Sequence, residues 1–178
     1  MQVPNNPYRI YLGNPVGMQY WWNDLVIAVR DLFLPVIAHT QWDAVSVHST
    51  MSSPALRPTD LLVYVLPNSG ASVVATAFGS PSGGGGTTAW STAKGTGSEV
   101  YTYNATPADV ANLIFHEALH NKLHYSDTQL HAQGGLAASP VSPPQRRSDI
   151  ALMRHGLPLT RAQWLGGWAA INDPLRGL

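Results

Sequence analysis

The chain has no cysteine among its 178 residues, which removes disulfide frameworks, thiolate metal sites and cysteine nucleophiles together. Any metal would have to be held by His, Asp or Glu. Charge is also scarce: only 11% of the residues are Asp, Glu, Lys or Arg, against about a quarter in ordinary domains. The ten basic and ten acidic side chains cancel, so no net field draws the chain to nucleic acid or to an anionic membrane. Long hydrophobic runs are missing too. The most apolar stretch, residues 25–38, is interrupted by Arg30, Asp31 and Pro35 and cannot cross a bilayer. The opening MQVPNNPYRIYLGNP lacks a basic region followed by an apolar run, so it does not read as a secretory signal peptide. The expectation is a soluble protein with no membrane insertion and no nucleic-acid partner, cytoplasmic or exported by a route without an N-terminal signal.

The length suits one domain, residues 1–178, with a proper core. Apolar residues at Trp22, Leu25, Val26, Val29 and Phe33 have helical spacing that ends near Pro35. Residues 44–51 alternate in the manner of a strand, and DLLVYVL and ASVVATAF flank PNSG as the two arms of a hairpin. The Gly-rich segment 79–97 has no period and reads as a surface loop, and residues 98–103 read as another strand. Thr106, Pro107 and Asp109 then announce a helix as its cap, first residue and first-turn anion. A Pro/Gly/Ser-rich connection spans 132–147 and a C-terminal helical segment 148–178. Within that segment Ser148 caps a short helix that stops at Gly156, and Thr160 starts another, with Trp164 and Trp168 docking inward.

Four of the seven histidines and one of the two glutamates fall between Asn104 and Gly135. There, His116, Glu117 and His120 spell HExxH. Side chains four apart share one face of a helix, so both imidazoles can reach one zinc at ~2.0–2.1 Å. Glu117, about 100° round the helix from His116, lies beside that metal, where it can take a proton from water without being a ligand. Shuffling this composition would produce HExxH in roughly three chains per thousand, so chance is a poor explanation. Val110, Leu113, Ile114, Phe115, Ala118, Leu119 and Leu123 make the helix apolar around most of its circumference. It is therefore expected to be buried, a costly place for a carboxylate without a partner.

The motif resembles the signature of the zincin metallopeptidases, which carry HExxH on an active-site helix packed beneath a twisted sheet. That resemblance implies zinc ligation by His116 and His120 and general-base catalysis by Glu117. It implies further a third ligand after a turn, and extended substrates that pair with an edge strand, here 98–103 or part of the hairpin. The metzincin subset continues as HExxHxxGxxH; this chain has Leu123 in place of the glycine and Ser126 in place of the third histidine.

Three residues compete to be the third ligand. His124 is eight residues from His116, about 12 Å along a continuing helix, and would serve only if the helix broke just after His120. His131 is favoured because YSDTQ can turn the chain back beneath the site, and Asp127 is the runner-up. Tyr101, Tyr103 and Tyr125 are each able to stabilise an oxyanion, with nothing to choose among them. His39, His48 and His155 read as ordinary structural histidines, and the six tryptophans as packing residues.

The expectation is an α+β, zincin-like domain with a small, twisted, mostly antiparallel or mixed sheet. That sheet packs on an N-terminal helix and the buried HExxH helix. The expected activity is zinc-dependent hydrolysis of a protein or peptide substrate, as an endopeptidase rather than an exopeptidase. One Zn2+ per chain would be held by His116, His120 and His131, with Glu117 as base. The rivals are a catalytically silent metal-binding module, such as a phage or secretion-apparatus component, and a metal-dependent hydrolase of a non-peptide bond.

Overall fold

The computed structural model describes residues 8–13, 21–37, 45–50, 60–67, 86–88, 98–123, 125–141 and 144–156. They form a mixed helix-and-strand structure. Strand β1 (Tyr8–Gly13) leads into helix α1 (Trp22–Phe33) and a 3-10 turn (Leu34–Ile37), followed by β2 (Val45–Thr50), β3 (Leu61–Leu66), β4 (Gly86–Thr88) and β5 (Ser98–Tyr101). Helices α2 (Pro107–Lys122), α3 (Asp127–His131) and α4 (Arg146–Gly156) complete the order, with a second 3-10 turn (Gly135–Ala137) between the last two. None of these helices is long and apolar enough to cross a membrane.

The strands form one sheet in the order β2-β1-β3-β5-β4. The first four are mutually parallel, and only β4 runs antiparallel, against β5. A mostly antiparallel sheet is therefore not what this chain builds. Both sides of β3 are taken by β1 and β5, and the other arm of the expected hairpin, residues 71–78, lies outside the described residues. The physical signal is in LLVYVL itself, which is apolar at successive positions and almost wholly buried, as a central strand covered on both faces must be. Nor is 98–103 an edge, because β4, from within the Gly-rich segment, pairs along the outer side of β5.

Register sorts the side chains by face. Paired residues at one level share a face, so Ile10, Leu12, Leu61, Val63, Val65, Ser98 and Val100 form one surface. All but Ser98 join the hydrophobic core with Leu25, Val29 and Phe33 of α1 and Val110, Ile114, Phe115 and Leu119 of α2. Both helices thus cover the same face, in contact through Phe33 and Phe115, whose ring centres are 4.8 Å apart. Glu99 and Tyr101 belong to the opposite face, where the Tyr101 hydroxyl donates to Glu99 Oε2 at 3.1 Å.

Helix α4 starts two residues before the expected Ser148 cap and docks on the first 3-10 turn. There Arg154 donates to the carbonyls of Val36 and Pro35 at 2.6 and 3.2 Å. Any helix from Thr160 onward lies outside the described residues.

Candidate metal centre

Helix α2 begins as its sequence dictates. The Thr106 hydroxyl accepts from the Asp109 N–H at 3.2 Å, and Pro107 occupies the first helical position. From there the helix runs down the sheet, and its last two turns are buried from Ile114 to Lys122. At the far end Lys122 Nζ donates to the Asp60 carbonyl at 2.7 Å, which ties the helix to the start of β3. Leu123 turns extended, and Ser126 opens α3 with a reciprocal capping box to Gln129. Ending α2 two residues after His120 lets α3 double back and deliver His131. His124, in the turn between them, lies outside the described residues.

Three ring nitrogens meet at this junction. His120 Nε2 is 3.0 Å from His116 Nε2 and 3.1 Å from His131 Nε2, and one ligand atom from each of the three lies within 4.8 Å of the others. A tetrahedral ion with bonds of ~2.0–2.1 Å would hold its nitrogens about 3.3 Å apart, so the two separations from His120 are close to what one ion requires. Among the described third-ligand candidates, His131 is the one brought together with His116 and His120. Asp127 is not in the cluster; its carboxylate instead faces the other nitrogen of His120, Oδ1 to Nδ1, at 3.6 Å.

Proton placement strengthens the case for a cation. His116 Nδ1 lies 2.7 Å from the Leu136 carbonyl, and a carbonyl only accepts, so Nδ1 carries the proton and Nε2 presents a lone pair. The carboxylate beside His120 Nδ1 favours the same arrangement on the second ring. Burial holds both imidazoles below the usual histidine range, His120 at about 4 with the neighbouring His116 adding to the effect. Both are therefore neutral at pH 7. The His116 Nε2 lone pair therefore faces the neighbouring ring nitrogen across 3.0 Å, where either an N–H or a positive ion satisfies it, and the cluster is one that could hold a metal.

Access is uneven. His116 and His120 are 6% and 8% exposed, whereas His131 is half-buried and the Asp127 side chain is 71% exposed. The cluster is closed toward the sheet and open toward α3. Glu117 is 4% exposed and is not among the clustered ligands. Its backbone carbonyl accepts from Ser98 Oγ at 3.4 Å, and Asn121 Nδ2 donates to the same hydroxyl at 3.3 Å. These contacts fasten the motif's own turn of helix to β5.

The other sequence candidates disperse. Tyr101 faces away from α2 and is engaged with Glu99. Tyr103 lies before the opposite end of α2, so Tyr125, half-exposed between α2 and α3, is the one of the three tyrosines near the cluster in the chain. His48 is exposed on β2, stacked on Tyr11 at 5.1 Å. His39 lies outside the described residues. His155 falls in α4. Sequence reasoning missed Leu136, since a backbone carbonyl that orients a ligand leaves no mark on residue type. Comparisons with protein-family models, curated proteins and solved structures gave no match.

Proposed function

We propose that the chain is a zinc-dependent peptidase of zincin type, with zinc held by His116, His120 and His131. The observation that carries this reading is the convergence of three Nε2 atoms on a helix that also carries a buried glutamate outside the cluster. Three imidazoles with one side open are the donor set of a catalytic zinc, whereas a structural zinc is closed by a fourth protein ligand. A bound zinc would supply Lewis acidity toward a peptide carbonyl and make water nucleophilic at neutral pH.

The protein's own part follows from position. Glu117 takes the proton from the attacking water and passes it to the leaving amine, general acid–base work suited to a carboxylate that follows His116 directly in the motif. The Leu136 carbonyl keeps His116 in the tautomer that binds, and Asp127, exposed and 3.6 Å from His120 Nδ1, biases the second ring the same way only weakly. Edge strand β4 is antiparallel to β5, with Thr88 in register with Ser98, the residue that reaches the Glu117 carbonyl. No further strand lies beyond β4 among the described residues. An extended peptide that adds there would pass the level of the base, with affinity from backbone hydrogen bonds and tolerance of varied sequences.

The test combines elemental analysis with a diverse peptide library. Wild-type protein should hold about one zinc per chain and cleave within peptides, and Glu117→Gln should keep the metal while turnover falls at least ~10²-fold. Zinc-loaded wild type that cleaves nothing would favour the silent metal-binding module. Undiminished cleavage by Glu117→Gln would refute the assigned base.

A further inference from the structure

The Leu136 carbonyl that receives the His116 proton belongs to a short turn, and that turn is itself held from elsewhere. Leu136 N–H donates to Asp149 Oδ1 at 2.9 Å, while Asp149 Oδ2 accepts from the Gln145 N–H at 2.6 Å. Asp149 lies in the first turn of α4 and is 2% exposed. Around Leu136 the backbone is closed by Ala137 N–H to Gly134 O and Ala138 N–H to Gly135 O, at 3.1 and 3.2 Å. The Leu136 C=O shares its peptide plane with the Ala137 N–H held by Gly134, and the plane before it is held through the Leu136 N–H by Asp149, so the two bonds together set the direction of the carbonyl.

The two glycines before Leu136 fit this arrangement. Gly134 and Gly135 have φ of +76° and +54°, and a Cβ on Gly135 would stand 2.4 Å from Asp149 Oδ1. Any side chain there would meet both backbone strain and the carboxylate. The chain thus passes from His131 through a Gly-Gly turn that only glycine permits, and reaches a buried acid that aims the next carbonyl at His116.

We propose that Asp149 is a positioning residue of the metal centre, acting through the backbone of Leu136 to set the tautomer and direction of the His116 ring. The proposal rests on the reading of the three histidines as a metal site. It makes α4, which supplies no ligand, part of the apparatus that determines metal affinity. Loss of such outer partners typically weakens metal binding by ~10–100-fold.

The experiment measures zinc affinity by chelator competition and the visible spectrum of the cobalt-substituted protein. It is run on wild type, Asp149→Ala and Asp149→Asn, with the melting temperature of each taken with and without zinc. Asp149→Ala should bind ~10–100-fold more weakly, show shifted cobalt bands and gain less melting temperature from zinc than wild type does. Asp149→Asn keeps an acceptor for the Leu136 N–H but sets its NH2 against the Gln145 N–H, so it should lower the melting temperature while zinc affinity stays within about threefold of wild type. A merely structural role would lower the melting temperature without changing the spectrum or the zinc-induced gain. If Asp149→Ala does not fold, Gly135→Ala crowds the same carboxylate and takes its place. In the metal-free wild type, imidazole nitrogen NMR should show His116 protonated at Nδ1. Protonation at Nε2, wild-type affinity in a folded Asp149→Ala, or equal loss in Asp149→Asn overturns this proposal alone. A wild type that binds no metal overturns the metal site, and the proposal with it.

Discussion

His120 and Asp127 face each other across 3.6 Å, Nδ1 to Oδ1, with the ring buried and the carboxylate in solvent. The residue that the sequence offers as an alternative ligand thus stands behind a member of the histidine cluster. Asp127→Ala should keep one zinc per chain and weaken binding by no more than about tenfold, since an exposed partner beyond hydrogen-bond length orients the ring only loosely. Chelator competition measures this, and loss of metal altogether would make Asp127 a direct ligand.

Removing His131 should have the larger effect. It contributes one of three nitrogens, and two imidazoles on a helix do not hold zinc well alone, so His131→Ala should bind at least ~10²-fold more weakly. His124→Ala should leave affinity close to wild type. The opposite pattern in a chelator titration would move the third ligand to His124.

Acid should destabilise the metal-free protein in a defined window. Unfolded, both imidazoles take up protons near pH 6.5. In the folded state burial lowers both, His120 to about 4. Between those values the unfolded chain holds more protons, so stability falls as pH drops through the window and these groups cease to affect it above pH ~6.5. Melting temperatures of metal-free wild type from pH 7.5 to 4.5 should fall, and fall less steeply in His120→Gln. An equal slope in the two proteins would contradict neutral burial of His120.

The helix that carries the motif should be sensitive at its far end. Thr106→Ala removes the acceptor of the Asp109 N–H and should cost about 1 kcal/mol by chemical denaturation, with zinc stoichiometry unchanged. A loss of metal from this variant would mean that the first turn of α2 is coupled to the site.

Helix α2 and its cap were legible because every signal agrees: Thr, Pro and Asp at the start, a nearly continuous apolar surface, and two histidines four apart. His131 was legible for a different reason, since Ser126 and Gln129 form a capping box in a segment too polar to continue a helix. The sheet was read less well. YRIYLG alternates Ile10 and Leu12 with Arg9 and Tyr11, yet β1 went unread because Gly and Pro crowd both of its flanks. PNSG suggested a hairpin because turn chemistry is local, whereas parallel pairing depends on partners such as Ile10 and Leu61, which no local pattern announces. β4 was hidden for the same reason, as three residues in a glycine run acquire strand character only from β5. Asp149 carries its role through another residue's backbone, and sequence patterns say nothing about such indirect contacts.

The strand order also sets a schedule for assembly. β1 lies inside the sheet, yet its neighbours begin at Val45 and Leu61, and β3 waits for Ser98 on its other side. On a ribosome β1 emerges before either of its neighbours in the sheet, and several dozen further residues must follow it before both are made, which delays its pairing. The histidine segment emerges after every strand of the sheet. An apolar helix with a carboxylate and two imidazoles thus meets a surface able to receive it as soon as it is made.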